Sequence, residues 1–500
     1  MEKTITHLLA QSDLFLFTHI AFWLFFGVVL LFNALLQKKR SIRIAFLFMA
    51  SLYFYYKTGG YFFSLLIVST LSDYTIGLLL YKRKRPWERK IWLALSLLIN
   101  LSLLGYFKYT YFILDLYTSL VNVSVEPIDY VAHYLNQGLG TSFNIDNIAL
   151  PVGISFFTFQ TISYTIDVYR KELKPVRNVI DFGFYVSFFP QLIAGPIVRA
   201  KTFIPQIYRS LILSEKWIWW AILLIIGGLF KKIVISDFIS TNFIDRVFQH
   251  PTAYSGFEVI TSIYAYALQI YCDFSGYTDI ALGAALLLGF RLPKNFNHPY
   301  KATSLSDFWR RWHISLSSWL RDYLYIPLGG NQKGKVRAYF NLVFTMLVGG
   351  LWHGAALKFV IWGTLHGVGL SINKLLTRRT RPTSKIGKAV GWVITFHFVM
   401  LTWIVFRVDS LQTAEVMLDR ITRAFLPIEL SHIIGSQPYL FSLIILGFIM
   451  HWMPDTFRRN IKIRFVKSPL WVKLILSVLL LYVINFLQQN TLIPFIYFRF

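Results

Sequence analysis

An all-α polytopic membrane protein is the fold class this sequence predicts, with about eleven transmembrane helices plus re-entrant and interfacial helices. Three observations carry that expectation. Of 500 residues, 55% are hydrophobic and only 15% charged, too few polar side chains to coat a soluble globule. Apolar runs long enough to cross a hydrocarbon core of about 30 Å recur from residues 14–36 to residues 470–487. Basic residues cluster between these runs, at 38–43, 82–90, 170–177, 378–388 and 458–467. That is the pattern of cytoplasmic loops facing anionic head groups.

The formal charge of +26 is therefore matched by membrane lipids, and no nucleic-acid partner is needed to explain it. A single cysteine, Cys272, permits no intramolecular disulfide. The run at 14–36 is too long for a cleaved signal and is expected to remain as the first span.

Orientation follows from the basic loops. The 14–36 run leads inward to the 38–43 cluster, 44–56 goes out, and 61–80 returns to the 82–90 cluster. The stretch from Ile91 leaves again, and the 123–146 loop, with Glu126, Asp129, Asp146 and no Lys or Arg, suits the exterior. Near the other end, 391–406 leads out to a mixed-charge segment at 409–429, 440–452 comes back, and 470–487 exits. A multi-pass protein of the cytoplasmic (inner) membrane with both termini outside is the expectation. The organisation reads as N-terminal scaffold helices over 1–143, a central catalytic core over 144–374, and C-terminal helices over 375–500 that end in an exterior aromatic segment containing Tyr497.

The longest polar insertion, 291–337, has nine Lys and Arg against Asp307 and Asp322, which argues for the cytoplasmic side. Ser304 and Asp307 form a capping pattern opening a helix, Asp307 can pair with Arg311, and Phe308, Trp312 and Trp319 are expected to share one apolar face. Such an amphipathic helix is either a membrane-surface anchor or a cytoplasmic gate for an anionic acyl donor such as coenzyme A.

His353 lies in an apolar run with glycines on both sides. Burial there disfavours an imidazolium, so a neutral ring able to accept a proton is expected. It is a functional group or a histidine bonded to a neighbouring helix. His366 falls about 220° round the same helix if that helix is continuous, which sets it aside. His397, inside a span, is the main competitor. Asp273 and Asp279 flank Ser275 and Gly276, a pair expected to break the helix, and the carboxylates either cap freed N–H groups or line a polar passage. Gln160 and Asp167, seven residues apart on one helix face, have the same two readings. Metal, P-loop and dinucleotide signatures are absent, so no metal and no bound cofactor is expected.

The stretches 151–169, 189–197, 271–280, 295–300, 307–330 and 350–354 resemble the membrane-bound O-acyltransferases, and within them the membrane subunits that O-acetylate alginate. The resemblance implies a spanning catalytic chamber, with the family's invariant histidine at His353 and its second motif histidine at His313. It also implies an acyl donor that enters from the cytoplasm; acetyl-CoA is the donor substrate expected, with Arg310, Arg311 and Arg321 on the basic cytoplasmic helix expected to meet its phosphates. The acetyl group leaves on the far side toward an exported polysaccharide and a separate extracytoplasmic acetyltransferase. Terminal segments like 494–500 are typical of the exporting members, so Tyr497 is either an aromatic-belt anchor or a covalent acyl relay. The competing functions are a transporter or flippase, and a relative that moves D-alanine or a lipid acyl chain.

Overall fold

The structure is a computed structural model that describes residues 15–123, 125–192, 195–209, 213–377, 384–425, 430–488 and 494–496. Among these residues every regular element is helical and no strand occurs. After Ile20–Leu35 come Arg40–Gly59 and Phe63–Lys82, separated at Gly60, whose φ of 58° is left-handed geometry that glycine adopts freely. Pro86–Leu104 starts on proline and passes through a π-helical turn, Gly105–Tyr109, into Thr110–Val121. The acidic loop that follows contains a helix of its own, Tyr130–Leu139, capped by Asp129 accepting from the Ala132 N–H at 3.0 Å.

The Gly256–Leu287 helix, 32 residues long and buried along most of its length, is the spine of the core. It opens on a capping box between Ser255 and Glu258. The break expected at Ser275 and Gly276 does not occur. A Cβ on Gly276 would lie 2.8 Å from the Gly228 carbonyl oxygen, so this glycine lets Glu215–Leu229 approach the spine closely rather than ending a helix. Lys335–His353 and Leu357–Thr377 form an antiparallel hairpin whose backbones nearly touch. A Cβ on Gly350 would meet the Phe359 carbonyl oxygen at 2.2 Å.

Five described helical stretches are long and apolar enough to cross a membrane: Arg40–Lys82, Pro86–Val121, Glu215–Gln249, Lys385–Arg407 and Leu470–Leu487. A sixth arises if Pro438–Trp452 and Asp455–Lys467, bent by 96°, count as one span. The expected count of about eleven is not reached by this measure. The innermost helices are short or polar: Ile154–Tyr169 has 16 residues, and the spine carries Glu258, Gln269, Asp273 and Asp279. Outer helices show the opposite pattern, since Leu470–Leu487 exposes Trp471, Ile475, Val478 and Phe486 and turns Lys473 inward to Glu215 at 3.1 Å.

Residues 299–320 of the insertion fold largely into the protein, while 331–337 are exposed. Leu305–Arg311 ends at Trp312, and Ile314–Leu320 begins anew after His313. The single amphipathic helix expected there is thus two short helices. Their aromatics are core: Trp312 packs on Trp403 with ring centroids 5.1 Å apart, and Trp319 stacks on Phe159 at 3.8 Å.

Candidate active site

Two histidines meet in the centre of the helical core. His353 is the last residue of Lys335–His353, and His313 is the first residue before Ile314–Leu320; their ring centroids are 6.4 Å apart. Both are buried, at 3% and 0% exposure. Around His353 stand Trp362, edge to face at 5.1 Å, Trp352 at 5.2 Å and Phe406 at 5.4 Å. Gly354 is required next to it, because a Cβ there would lie 2.1 Å from the Phe359 ring.

His313 adopts φ 42° and ψ 55°, a left-handed geometry that side chains other than glycine seldom take. Asn295 holds the kink. Its carbonyl oxygen accepts from the Ile314 N–H at 2.9 Å, and its Oδ1 accepts from the Ser315 N–H at 3.1 Å and the Ser315 hydroxyl at 2.8 Å.

The helix break at Gly354 also overturns the exclusion of His366, which rested on a continuous helix. Leu357–Thr377 doubles back and sets the His366 ring 4.6 Å from Trp362. The indole N–H of Trp309 donates to His366 Nδ1 at 3.3 Å, so Nδ1 is an acceptor and Nε2 carries the hydrogen toward Thr402 Oγ1 at 3.1 Å. Both ring nitrogens are thereby engaged. His397 faces outward and bonds the Val393 carbonyl at 2.8 Å, remote from this centre.

A cavity of about 340 Å³ lies between these helices, lined in part by Trp309, Leu320, Arg321, Thr345, Met346 and Lys374. It stops at Thr345 and Met346, about 10 Å along the helix before His353. Trp309 in its wall touches Trp362, at 5.8 Å between centroids, and Trp362 touches His353. Of the three arginines expected at a donor site, Arg321 lines the cavity, its guanidinium paired with the neighbouring Asp322 at 2.7 Å and largely exposed. Arg311 is bound by Asp307 at 2.8 Å, and Arg310, largely exposed, lies 4.0 Å from the same carboxylate.

The remaining polar candidates occupy two separate places. Asp273 forms an ion pair with Lys232 at 2.6 Å and accepts from the Ile496 N–H at 2.8 Å, while Asp279 pairs with Lys231. Lys232 also reaches Asp237 at 2.7 Å, so this is a buried ion-pair network. Asp167 accepts from the Tyr323 hydroxyl at 2.7 Å, and Gln160 is buried on the same helix. Tyr497 lies outside the described residues. Just before it, Phe495 is fully buried against Phe274 at 5.3 Å and Tyr277 at 4.7 Å, and Phe274 touches His313 at 4.7 Å. Lys108, Tyr109 and Trp362 stand at the centre, and Lys374 lines the cavity, although none of these four is a site candidate of the sequence; Asn295 opens the 295–300 stretch. Lys108 shows in the sequence as a charge within an apolar run.

The model of the membrane-bound O-acyltransferase family matches residues 101–411, a stretch that contains both histidines, the cavity and Lys108. The chain is 40% identical over 413 residues to the probable alginate O-acetylase of Pseudomonas syringae pv. tomato, covering 81% of this chain and 74% of that protein. It is 37% identical over 395 residues to the peptidoglycan O-acetyltransferase of Helicobacter pylori, covering 74% and 71%. With the teichoic acid D-alanyltransferase of Bacillus subtilis it shares 29% identity over 286 residues, covering 52% and 69%. All-helical architecture, apolar outer helices and the extent of these matches lead to one conclusion: the chain belongs to the membrane-bound O-acyltransferase family and is a membrane acyltransferase.

Proposed function

We propose that this acyltransferase moves an acetyl group from cytoplasmic acetyl-CoA across the membrane for O-acetylation of an exported polysaccharide, with His353 as general base. One observation carries the reading. Thr345 and Met346 line a cavity bordered by Arg321 and Lys374, and His353 ends the same helix two turns later. The phosphates of the donor pair with Arg321 and Lys374, and its thioester arm follows the helix toward His353.

In the chemical step a hydroxyl oxygen attacks the thioester carbonyl carbon while His353 takes its proton, an effect of about 10²- to 10⁴-fold. The carbon–sulfur bond then breaks, and the proton passes to the departing thiolate. His313 orients or polarises the donor. Loading requires the Trp309–Trp362 contact to part, since those two rings separate the cavity from His353.

The first acceptor is the phenol of Tyr497, which hands the group to a separate extracytoplasmic acetyltransferase. A phenyl ester has a better leaving group than an alkyl ester and so keeps more transfer potential. Support comes from Ile496, whose N–H is fixed on Asp273, and from Phe495, separated from His313 only by Phe274.

The test incubates the purified chain with labelled acetyl-CoA and weighs its C-terminal peptide by mass spectrometry. Wild type gains an acetyl group there, and His353→Ala and Tyr497→Phe do not. Undiminished acetylation of the exported polymer in cells carrying His353→Ala, at equal protein level, removes the base assignment. The same result with Tyr497→Phe removes the relay alone.

A further inference from the structure

The His353 helix ends without the usual closure. An α-helix leaves its last carbonyls without intrahelical partners, and a following left-handed residue commonly supplies the N–H groups that satisfy them. Gly354 is instead extended, with φ −164°, because the chain must reverse at once into Leu357–Thr377. The carbonyls are served from a distant part of the chain. Lys108 Nζ donates to the Trp352 oxygen at 2.7 Å, to the His353 oxygen at 3.2 Å and to Ser155 Oγ at 3.3 Å. Its neighbour, the Tyr109 hydroxyl, donates to the Leu351 oxygen at 2.7 Å.

Three consecutive carbonyls at the end of this helix are thus capped by two adjacent side chains. Both sit on the π-helical turn Gly105–Tyr109, whose wider winding re-aims successive residues from their ordinary helical directions. Three acceptors match the three N–H bonds of an ammonium, and a cation suits the negative end of a helix dipole. Ser155 ties the same nitrogen to the start of Ile154–Tyr169, so one side chain registers three helices at the reactive centre.

We infer that Lys108 is a positioning residue for acyl transfer: by capping the carbonyls of Trp352 and His353 it fixes where the His353 imidazole stands. This rests on the reading of His353 as the base. Lys108 does not line the donor cavity, so donor binding does not depend on it. A misplacement of about 1 Å at a reacting group costs about 10²-fold in rate.

The experiment follows coenzyme A released from acetyl-CoA by the full-length chain in lipid nanodiscs, which reports attack on the thioester whatever the acceptor, as a rate against donor concentration. Lys108→Met is expected to lower the maximal rate about 10²-fold and to leave the half-saturating donor concentration within about threefold. Lys108→Arg, which can donate to the same carbonyls, is expected to retain more than Lys108→Met. Ethylammonium added to Lys108→Gly is expected to restore rate without changing half-saturation. A Lys108→Met rate within about threefold of wild type overturns the inference. Should that variant fail to fold, absence of ethylammonium rescue in Lys108→Gly overturns it equally. His353→Ala is measured alongside: if it keeps its rate, the base assignment fails, and if it is inactive while Lys108→Met is not, only the role of Lys108 falls.

Discussion

His313 and His353 face each other across 6.4 Å from opposite kinds of helix end, one before an N-terminus and one at a C-terminus. Neither position is a default outcome of helix packing. His313 is held in a left-handed backbone, and His353 is followed by a glycine that only the absence of a Cβ allows. A left-handed helix start and a glycine-terminated helix end brought to one point indicate a centre organised by its supports, and those supports are where substitutions should register.

Asn295 is the first such support. Replacing it with Ala removes the acceptor for the Ser315 N–H and hydroxyl and leaves a buried donor unpaired, at about 1–3 kcal/mol. Asn295→Ala is expected to lower the thermal midpoint and, beyond that, to reduce the acetyl-transfer rate of the protein that remains folded. Circular dichroism melting alongside a rate per folded molecule separates the two effects.

The cavity proposed for the donor separates the three arginines. Arg321→Gln removes a cavity-lining charge, and a lost charge-assisted hydrogen bond is worth about 1.5–3 kcal/mol, so KM for acetyl-CoA should rise about tenfold or more. Arg310→Gln, at an exposed guanidinium 4.0 Å from Asp307, should stay within about twofold. Steady-state KM at two ionic strengths checks both, since only the Arg321 effect should shrink as salt rises.

Acid tolerance should depend on Asp322. Burial raises its pKa, but hydrogen bonds from Arg321 and from Arg199, whose Nη2 is 2.7 Å away, outweigh burial and hold the carboxyl below the ordinary range. The stability it contributes is then fully present above the unfolded value of about 3.9 and is lost as pH falls through the lowered folded value. Melting curves from about pH 7 down to pH 3 should show a steeper acid-side decline for wild type than for Asp322→Asn.

Much of the scaffold was legible because hydrophobic length and loop charge are local properties. The 470–487 run is a helix with those ends, the 391–406 run lies inside Lys385–Arg407, and the Ser304 cap and Asp307–Arg311 pair are both present. What escaped were features decided by tertiary contact. The kink at His313 has no glycine or proline to announce it, and depends on Asn295 from another segment. Ser275 and Gly276 looked like a break because the sequence does not show the Gly228 backbone lying against them. The sequence spacing puts His366 on the far side of one continuous helix, whereas Gly354 turns the chain. Lys108 reads as a lone charge in a span until the carbonyls it caps are seen.

The ion network on the spine yields a prediction whose sign depends on partners rather than on charge number. Lys232 lies between Asp237 at 2.7 Å and Asp273 at 2.6 Å with 1% of its side chain exposed. Lys232→Met leaves two carboxylates buried without their common cation, and breaking a buried pair this way costs about 3–5 kcal/mol. Asp273→Asn in the same chain removes one of those charges while its side-chain oxygen can still accept from the Ile496 N–H, now 2.8 Å away. The double variant should therefore be more stable than Lys232→Met alone, a coupling that a double-mutant cycle on thermal or denaturant unfolding measures directly. If the two losses simply add, Lys232 and Asp273 do not act as a pair, and Asp237 alone balances the lysine.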